Sequence, residues 1–522
     1  MQSNKLRMAI RSTVAVAVLG GRRAGSDAGG SMKIIQERMS QGLGFLGVLV
    51  AVSGAPAAMA VEVPTASGVK LDITTQGKFQ PTYFSNFDLD SSVDDGATGT
   101  SAGGVQVGDE HVRAEVRLGV MASGENWTGK LLLENDFSLD ANSVDRAYRG
   151  ERFGLEQAFF TYTFDPAFTV QGGWTFKNLD LASGGLLYGD DHPLFGATGK
   201  TSWGNYDVYW MPINDGLISH TTDVNRPGAN VANGELDWDV YASKFDIDLG
   251  NGSRVSPILT YSDNQQRDAK ATYFGVEYIG DIGAVKVRAE ILGVGGSFSG
   301  GSSTLENGTV VDNTGDNISA FAAYASFEYP VSDAFNPFIA LRVASGDDDP
   351  TDDDVEGWLG ITDIGRYSPL IGIDGQFMGW GPGSNAAINS LLFGLALDGA
   401  GPGGAGYGAI SNAGTGNNPG QIMLSFGSSG NLASISPKLS YQAQVFPMWF
   451  HKTGGLETLS TASGSVDSFA GTELDVAVKY QANEYFAPRL VLSSFLPGKG
   501  VEDATGASDA AYVAMLELNW NY

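Results

Sequence analysis

The chain has 522 residues, with 31 Lys+Arg against 59 Asp+Glu, a formal net charge of −28, and no cysteine. That acidity repels phosphates and excludes DNA or RNA as partners. The missing cysteine excludes a disulfide scaffold, a Cys-ligated zinc and a thioether-attached haem.

The first 60 residues read as processing sequence. From Met32, Lys33 and Arg38 form a basic start, 43–52 a short apolar core, and Ala58-Met59-Ala60 a cleavage site, so that the mature chain starts at Val61. The apolar core falls short of the roughly 18 residues a spanning helix needs. Residues 1–31 read as an over-long start, with Met32 the true first residue, or as an extended leader. Cleavage removes Lys5, Arg7, Arg11, Arg22, Arg23, Lys33 and Arg38 against only Asp27 and Glu37, and leaves a still more acidic chain.

Beyond the leader the dominant signal has a period of two. Val112, Ala114, Val116, Leu118 and Val120 alternate with His111, Arg113, Glu115 and Arg117. Val285, Val287, Ala289 and Ile291 alternate with Lys286, Arg288 and Glu290; Leu474, Val476, Val478 and Tyr480 alternate with Glu473, Asp475 and Lys479. In the last stretch Tyr512, Ala514, Leu516, Leu518, Trp520 and Tyr522 share one face, opposite Val513, Met515, Glu517, Asn519 and Asn521. An apolar face with aromatic ends, backed by a charged one, suits lipid outside and water inside. A soluble sandwich is the competing reading, with the apolar face on a core.

Link lengths alternate too. Short links at 124–126, 165–167, 251–252, 281–283, 331–334 and 482–484 separate long polar ones near 88–109, 139–151, 214–235, 297–316, 346–366, 452–469 and 497–509. Short periplasmic turns and long extracellular loops are the barrel pattern. Parity requires a tight turn at 202–205 and a descending strand near 421–427. The expectation is an all-β fold: one transmembrane antiparallel β-barrel over 61–522, of about 18 strands, with 16 the alternative. Residues 366–420, with Gly-Pro pairs, a Gly-rich tract at 399–408 and an apolar stretch at 386–397, read as a long external loop or an insert that narrows the lumen.

Gly471-Thr472-Glu473-Leu474-Asp475, Tyr480, Phe495-Leu496-Pro497-Gly498 and the terminal strand resemble the C-terminal signature of the alginate export family of outer-membrane proteins. The stretch 341–347, ending Ala344-Ser345-Gly346-Asp347, is similar to that family's strand ending in a Ser-Gly-Asp turn; the likeness is clearest over 335–522. It implies an 18-stranded barrel in the bacterial outer membrane. Exporters of this family line their conduit with arginine to conduct a polyanion, and substrate does not follow from membership.

Pore-lining candidates are Arg113, Glu115, Arg117, Lys130, Glu134, Lys286, Arg288, Glu290, Glu473, Asp475 and Glu517, with Arg146, Arg149 and Arg152 as an arginine cluster. Asp136, Asp237 and Asp239 add to the inward acids, and the expected lumen is bipolar, arginines on one wall and acids on the other. Asp347, Asp348, Asp349, Asp352, Asp353, Asp354 and Glu356 crowd one external loop; hard oxygen ligands make weak Ca²⁺ capture chemically reasonable, but the spacing is no EF-hand and Pro350 interrupts it. No other cofactor is expected. His111, His192, His220 and His451 show no ligand spacing and no nucleophile motif, so no enzyme is expected. The sequence leaves three functions open: passive diffusion of small hydrophilic solutes or ions, exopolysaccharide export, and a sheath around a multihaem cytochrome. Expected partners are membrane lipid and lipopolysaccharide, the barrel-assembly machinery, and the solutes or polysaccharide that cross.

Overall fold

The computed structural model describes residues 61–64, 68–85, 101–102, 105–106, 110–138, 153–180, 186–214, 237–265, 269–298, 302–304, 310–312, 316–349, 352–358, 360–361, 419–459, 464–506 and 508–521. The leader with its cleavage site, the insert at 366–420 up to residue 418, and Arg146, Arg149 and Arg152 lie outside the described residues.

The period-two stretches fold as antiparallel staves. In chain order they are β1 (Lys70–Ser85), β2 (Glu110–Ser123), β3 (Trp127–Ser138), β4 (Gly154–Asp165), β5 (Phe168–Asn178), β6 (Gly189–Lys200), β7 (Gly204–Asn214), β8 (Trp238–Gly250) and β9 (Ser253–Asn264). They continue as β10 (Ala269–Ile282), β11 (Val285–Phe298), β12 (Asp316–Glu328), β13 (Asn336–Ala344), β14 (Gln421–Asn431), β15 (Leu439–Trp449), β16 (Phe469–Tyr480), β17 (Phe486–Pro497) and β18 (Ala511–Asn521). Each pairs with its sequence neighbours, and β1 pairs with β18 from Gln76↔Asn521 to Ser85↔Tyr512, which closes the sheet. The 20-stranded sheet also includes two short additions, Val61–Pro64 on β1 and Asp354–Val355 on β12, leaving 18 staves. Closure removes the sheet edges that hydrocarbon would otherwise leave unpaired. The 18-strand expectation holds, as do the two features parity demanded: the turn at 201–203 and the return strand β14, which pairs with β13 across the whole 345–420 segment.

Turn chemistry sets the short-turn end. Asn251 and Gly252 both have positive φ, 53° and 76°, the conformation a two-residue hairpin needs and that Asn-Gly tolerates best. Tyr162, Phe164, Phe168, Trp203, Tyr329, Phe335 and Tyr480 are exposed around that end, an aromatic girdle. Between girdle and loops the outer face is apolar: Phe160, Phe195, Leu259, Phe274 and Ile291 are each more than half exposed. The links at the other end carry structure of their own, a hairpin of Ser302–Thr304 with Val310–Asp312 and two short helices, α1 (Gly454–Leu459) and α2 (Lys499–Thr505).

Candidate functional site

Inside the barrel the two walls differ. One wall, built by β17, β18 and β1–β4, is polar and tied together by cross-strand charge. Lys78 lies opposite Glu115 in register, and the ammonium sits 3.0 Å from the carboxylate. Arg117, opposite Glu134, is ion-paired with it, with Glu115 at 3.1 Å and with Glu156 at 2.9 Å. Lys130 donates to Gln157 Oε1 at 2.7 Å, Gln80 donates to Glu517 Oε2 at 2.8 Å, and Arg489 pairs with Glu517 at 2.9 Å. The result is a belt of alternating sign, with four acids and four basic groups.

The other wall, β5–β13, is apolar near the long-loop end. Tyr209, Met211, Trp238, Val240, Ala271, Tyr273, Leu292, Val294, Ile318 and Ala322 point inward and are buried. They are covered by two pieces of chain that fold into the lumen, 179–180 with 186–188, and 355–358 with 360–361. Leu179, Leu186, Leu187, Tyr188, Val355, Trp358 and Ile361 join the same apolar cluster. Asp180 holds the first stretch: its carboxylate accepts the N–H groups of Leu186, of Leu187 at 2.9 Å and of Tyr188 at 2.9 Å. Burial raises the Asp180 carboxyl above its ordinary range, against the pull of those three N–H bonds and of the Lys244 ammonium. Lys244 also pairs with buried Glu277 at 2.6 Å. The second stretch docks on the first: Trp358 Nε1 donates to the Leu186 carbonyl at 3.0 Å, the Ile361 N–H donates to the Leu187 carbonyl at 2.8 Å, and the Trp358 ring meets Tyr273 edge-on.

The base of that second stretch is Ser345-Gly346-Asp347. Asp347 is almost fully buried and accepts N–H bonds from Asp349 at 3.0 Å and Glu356 at 3.1 Å; burial pushes its carboxyl up to about 7 despite those bonds. The Gly346 N–H donates to His451 Nδ1 at 3.1 Å, and burial, with Lys452 beside it, lowers the His451 pKa. Asp348, Asp349, Asp352, Asp353 and Asp354 are exposed around this base. Among the described residues no group of three or more His, Cys, Asp or Glu is arranged to hold a metal. Within this loop Asp347, Asp349 and Asp352 take part in backbone hydrogen bonds: Asp347 accepts from Asp349 and Glu356, and Asp352 accepts from Asp354 at 3.0 Å.

Glu115, Arg117, Lys130, Glu134 and Glu517 thus come together on the polar wall. Arg113 falls in β2 opposite Ser138 and Gln80, and nothing is described of its side chain. Lys286, Arg288 and Glu290 are in β11, in the covered half; Lys286 pairs with Glu328 at the short-turn end, 2.9 Å away, and Glu290 is buried. Glu473 and Asp475 are buried in β16, away from the belt of ion pairs. Two expectations are corrected. The lumen is not divided into an arginine wall and an acid wall: the two signs interleave on one wall, because register places them opposite each other. Asp239 does not face inward; it accepts a hydrogen bond from the exposed Trp210 Nε1 at 2.7 Å, while its neighbours Trp238 and Val240 turn into the lumen. The in-folded segments make the interior apolar at that level, so the alternation there runs inverted. A sequence clue existed: Leu186-Leu187-Tyr188 is an apolar triplet in what otherwise reads as an external link.

Fold and site together define a transmembrane β-barrel with a partly filled lumen and a charged residual wall. No family model matches the chain, and no curated protein matches it in sequence. Among solved structures it is similar to OccK5 of Pseudomonas aeruginosa, at 10% identity over 87% of this chain and 98% of that one, TM-score 0.45. OccK2 of the same organism, in complex with glucuronate, matches at 12% identity, 87% and 98% coverage, TM-score 0.45. OccD3, also from that organism, matches at 11%, 90% and 97%, TM-score 0.46. At these scores the likeness carries no argument about kinship or cargo.

Proposed function

We propose that this protein is a passive channel of a bacterial outer membrane, a transporter rather than an enzyme, through which small hydrophilic solutes or ions cross along the β17–β4 wall. The observation that carries the reading is the ion-paired belt of Lys78, Glu115, Arg117, Glu134, Glu156, Arg489 and Glu517, a water-compatible strip beside an apolar, loop-filled half. Each of these basic groups is neutralised by a carboxylate, within a chain whose net charge is −28. Such a wall favours small cations and zwitterions over polyanions. The sharpest test is liposome swelling with neutral and charged solutes of equal size, together with reversal potentials in a salt gradient. Faster entry of lysine-like than of glutamate-like solutes supports the reading; preferential passage of oligouronates overturns it.

Export of an acidic polysaccharide remains the second reading, supported by the sequence likeness at 341–347 and 471–498. It asks for a run of unpaired arginines on the conducting wall, and those described there are paired. The sheath reading has no supporting observation.

A further inference from the structure

Most charged groups described in the lumen neutralise one another. Lys78, Arg117, Lys177, Lys244 and Arg489 each have a carboxylate at 3.0 Å or closer. Arg254 of β9 and Arg288 of β11 do not. Arg254 has only Asp246, 3.9 Å away and already hydrogen-bonded to Ser256 at 2.6 Å. Its side chain is 43% exposed, and its Nε is buried with no acceptor. Arg288 is half-buried and makes no hydrogen bond or ion pair among the described residues. Two of the acids around it are engaged elsewhere: Lys244 holds Glu277 at 2.6 Å, and Lys286 holds Glu328 at 2.9 Å.

Register brings the two guanidiniums together. Arg254 and Arg288 stand opposite the same residue, Ile279 of β10, one from each side. Cross-strand partners share a face, and here that face is the lumen. Ile279 packs against the apolar cluster, and Ser256 and Glu290, two residues along from the arginines, are buried. Two strand spacings, about 10 Å, separate the arginine backbones, with an apolar side chain between them. Guanidinium forks facing across such a gap suit the planar oxygen pair of a carboxylate. The surrounding acids set the charge of the guest. Asp246, Glu277, Asp281, Glu290 and Glu328 lie on neighbouring positions, so one negative charge is held and a phosphate dianion is repelled. We propose that Arg254 and Arg288 form a subsite for a single carboxylate at the short-turn end of the lumen. It takes small solutes with one carboxylate and a compensating ammonium. The channel reading above supplies only the route by which such a solute arrives. Two guanidiniums make a stopping place, not the run of arginines that a polyuronate needs.

The test is a calorimetric titration of the mature barrel in detergent with 4-aminobutyrate, run beside KCl conductance in planar bilayers. Wild type should bind 4-aminobutyrate at least about tenfold more tightly than butylamine or inorganic phosphate. Arg254→Gln with Arg288→Gln should weaken that binding by about tenfold or more, as expected when charge-assisted hydrogen bonds are removed, while KCl conductance persists. Arg254→Lys with Arg288→Lys keeps both charges and loses the forks, so it should also bind weakly. Mere counter-charges for Glu277 and Glu290 would serve as well as lysines. Folding is checked by heat-modifiable mobility, and the wild-type ligand series stands whether or not a variant folds. Full binding in either folded double variant overturns the subsite. So does phosphate that binds as tightly as 4-aminobutyrate, or a wild-type barrel that binds neither. A barrel that binds as expected yet passes no KCl current would refute the channel and leave the subsite standing.

Discussion

Replacing Asp180 with Ala removes the single carboxylate that holds 179–188 inside the lumen. Three buried N–H groups, on Leu186, Leu187 and Tyr188, lose their acceptor. Leaving them in place without partners costs about 3–9 kcal/mol, at roughly 1–3 kcal/mol for each group. Swinging the segment into water instead forfeits the burial of Leu186, Leu187 and Tyr188, about 5–8 kcal/mol in all. Release also returns backbone freedom, about 1–2 kcal/mol for each residue freed, and in water the N–H groups find new acceptors. Release is therefore favoured, and Trp358 and Ile361, bound to the carbonyls of Leu186 and Leu187, lose their dock. The assay is single-channel conductance in planar bilayers, which should rise for Asp180→Ala, with a new protease-sensitive site near 186–188. An Asp180→Ala barrel of unchanged conductance and unchanged cleavage would refute the idea that this segment obstructs the lumen.

Arg117→Gln leaves Glu115, Glu134 and Glu156 facing one another without their shared cation. Cation preference should rise in reversal-potential measurements, and stability should fall by about 3–5 kcal/mol, the usual result of removing one partner of a buried pair; an unchanged reversal potential would place Arg117 off the conducting path. Leu259→Arg puts a charge in the middle of the outer face of β9 and should cost about 2–4 kcal/mol in refolding titrations into lipid, whereas a cost near zero would remove Leu259 from the hydrocarbon. The base of the loop after β13 should loosen as pH rises toward about 7, because Asp347 outweighs the opposing trend from His451. His451 has a lowered pKa, so the stability it adds is present above about 6.5 and is lost as pH falls through its lower folded value. Asp347 has a raised pKa, so its contribution is present at low pH and lost as pH rises through about 7. Limited proteolysis should show cleavage rising as pH approaches about 7 and levelling above it, and Asp347→Asn should flatten that rise.

Period-two alternation made the outer face legible because hydrocarbon imposes one rule on every stave: Leu118, Val120, Phe274 and Ile291 all sit where parity predicts. Strand number followed from link lengths, including the unmarked turn at 201–203, since a closed barrel with both ends on one side requires an even count. The interior obeyed no such local rule. Trp238 and Val240, flanking the Asp239 expected to face inward, turn into the lumen themselves because residues distant in sequence, 179–180, 186–188, 355–358 and 360–361, occupy it beside them. Pairing on the polar wall was equally hidden. Arg117 and Glu134 are visible as charges on inward faces, but whether they sit opposite each other or on separate walls depends on register, which a slip of one residue would undo. The insert at 366–420 drew attention by length and composition; among the described residues, the ones that fill the lumen belong to shorter links anchored by Asp180 and Asp347.

Reconstitution of the purified, heat-modifiable barrel into planar bilayers addresses the central claim most directly. Stepwise, ohmic current with a reversal potential displaced toward the cation equilibrium value is the result expected of an open path along the ion-paired wall of this acidic chain. A correctly folded barrel that inserts yet passes no current, or that selects strongly for anions, would contradict it.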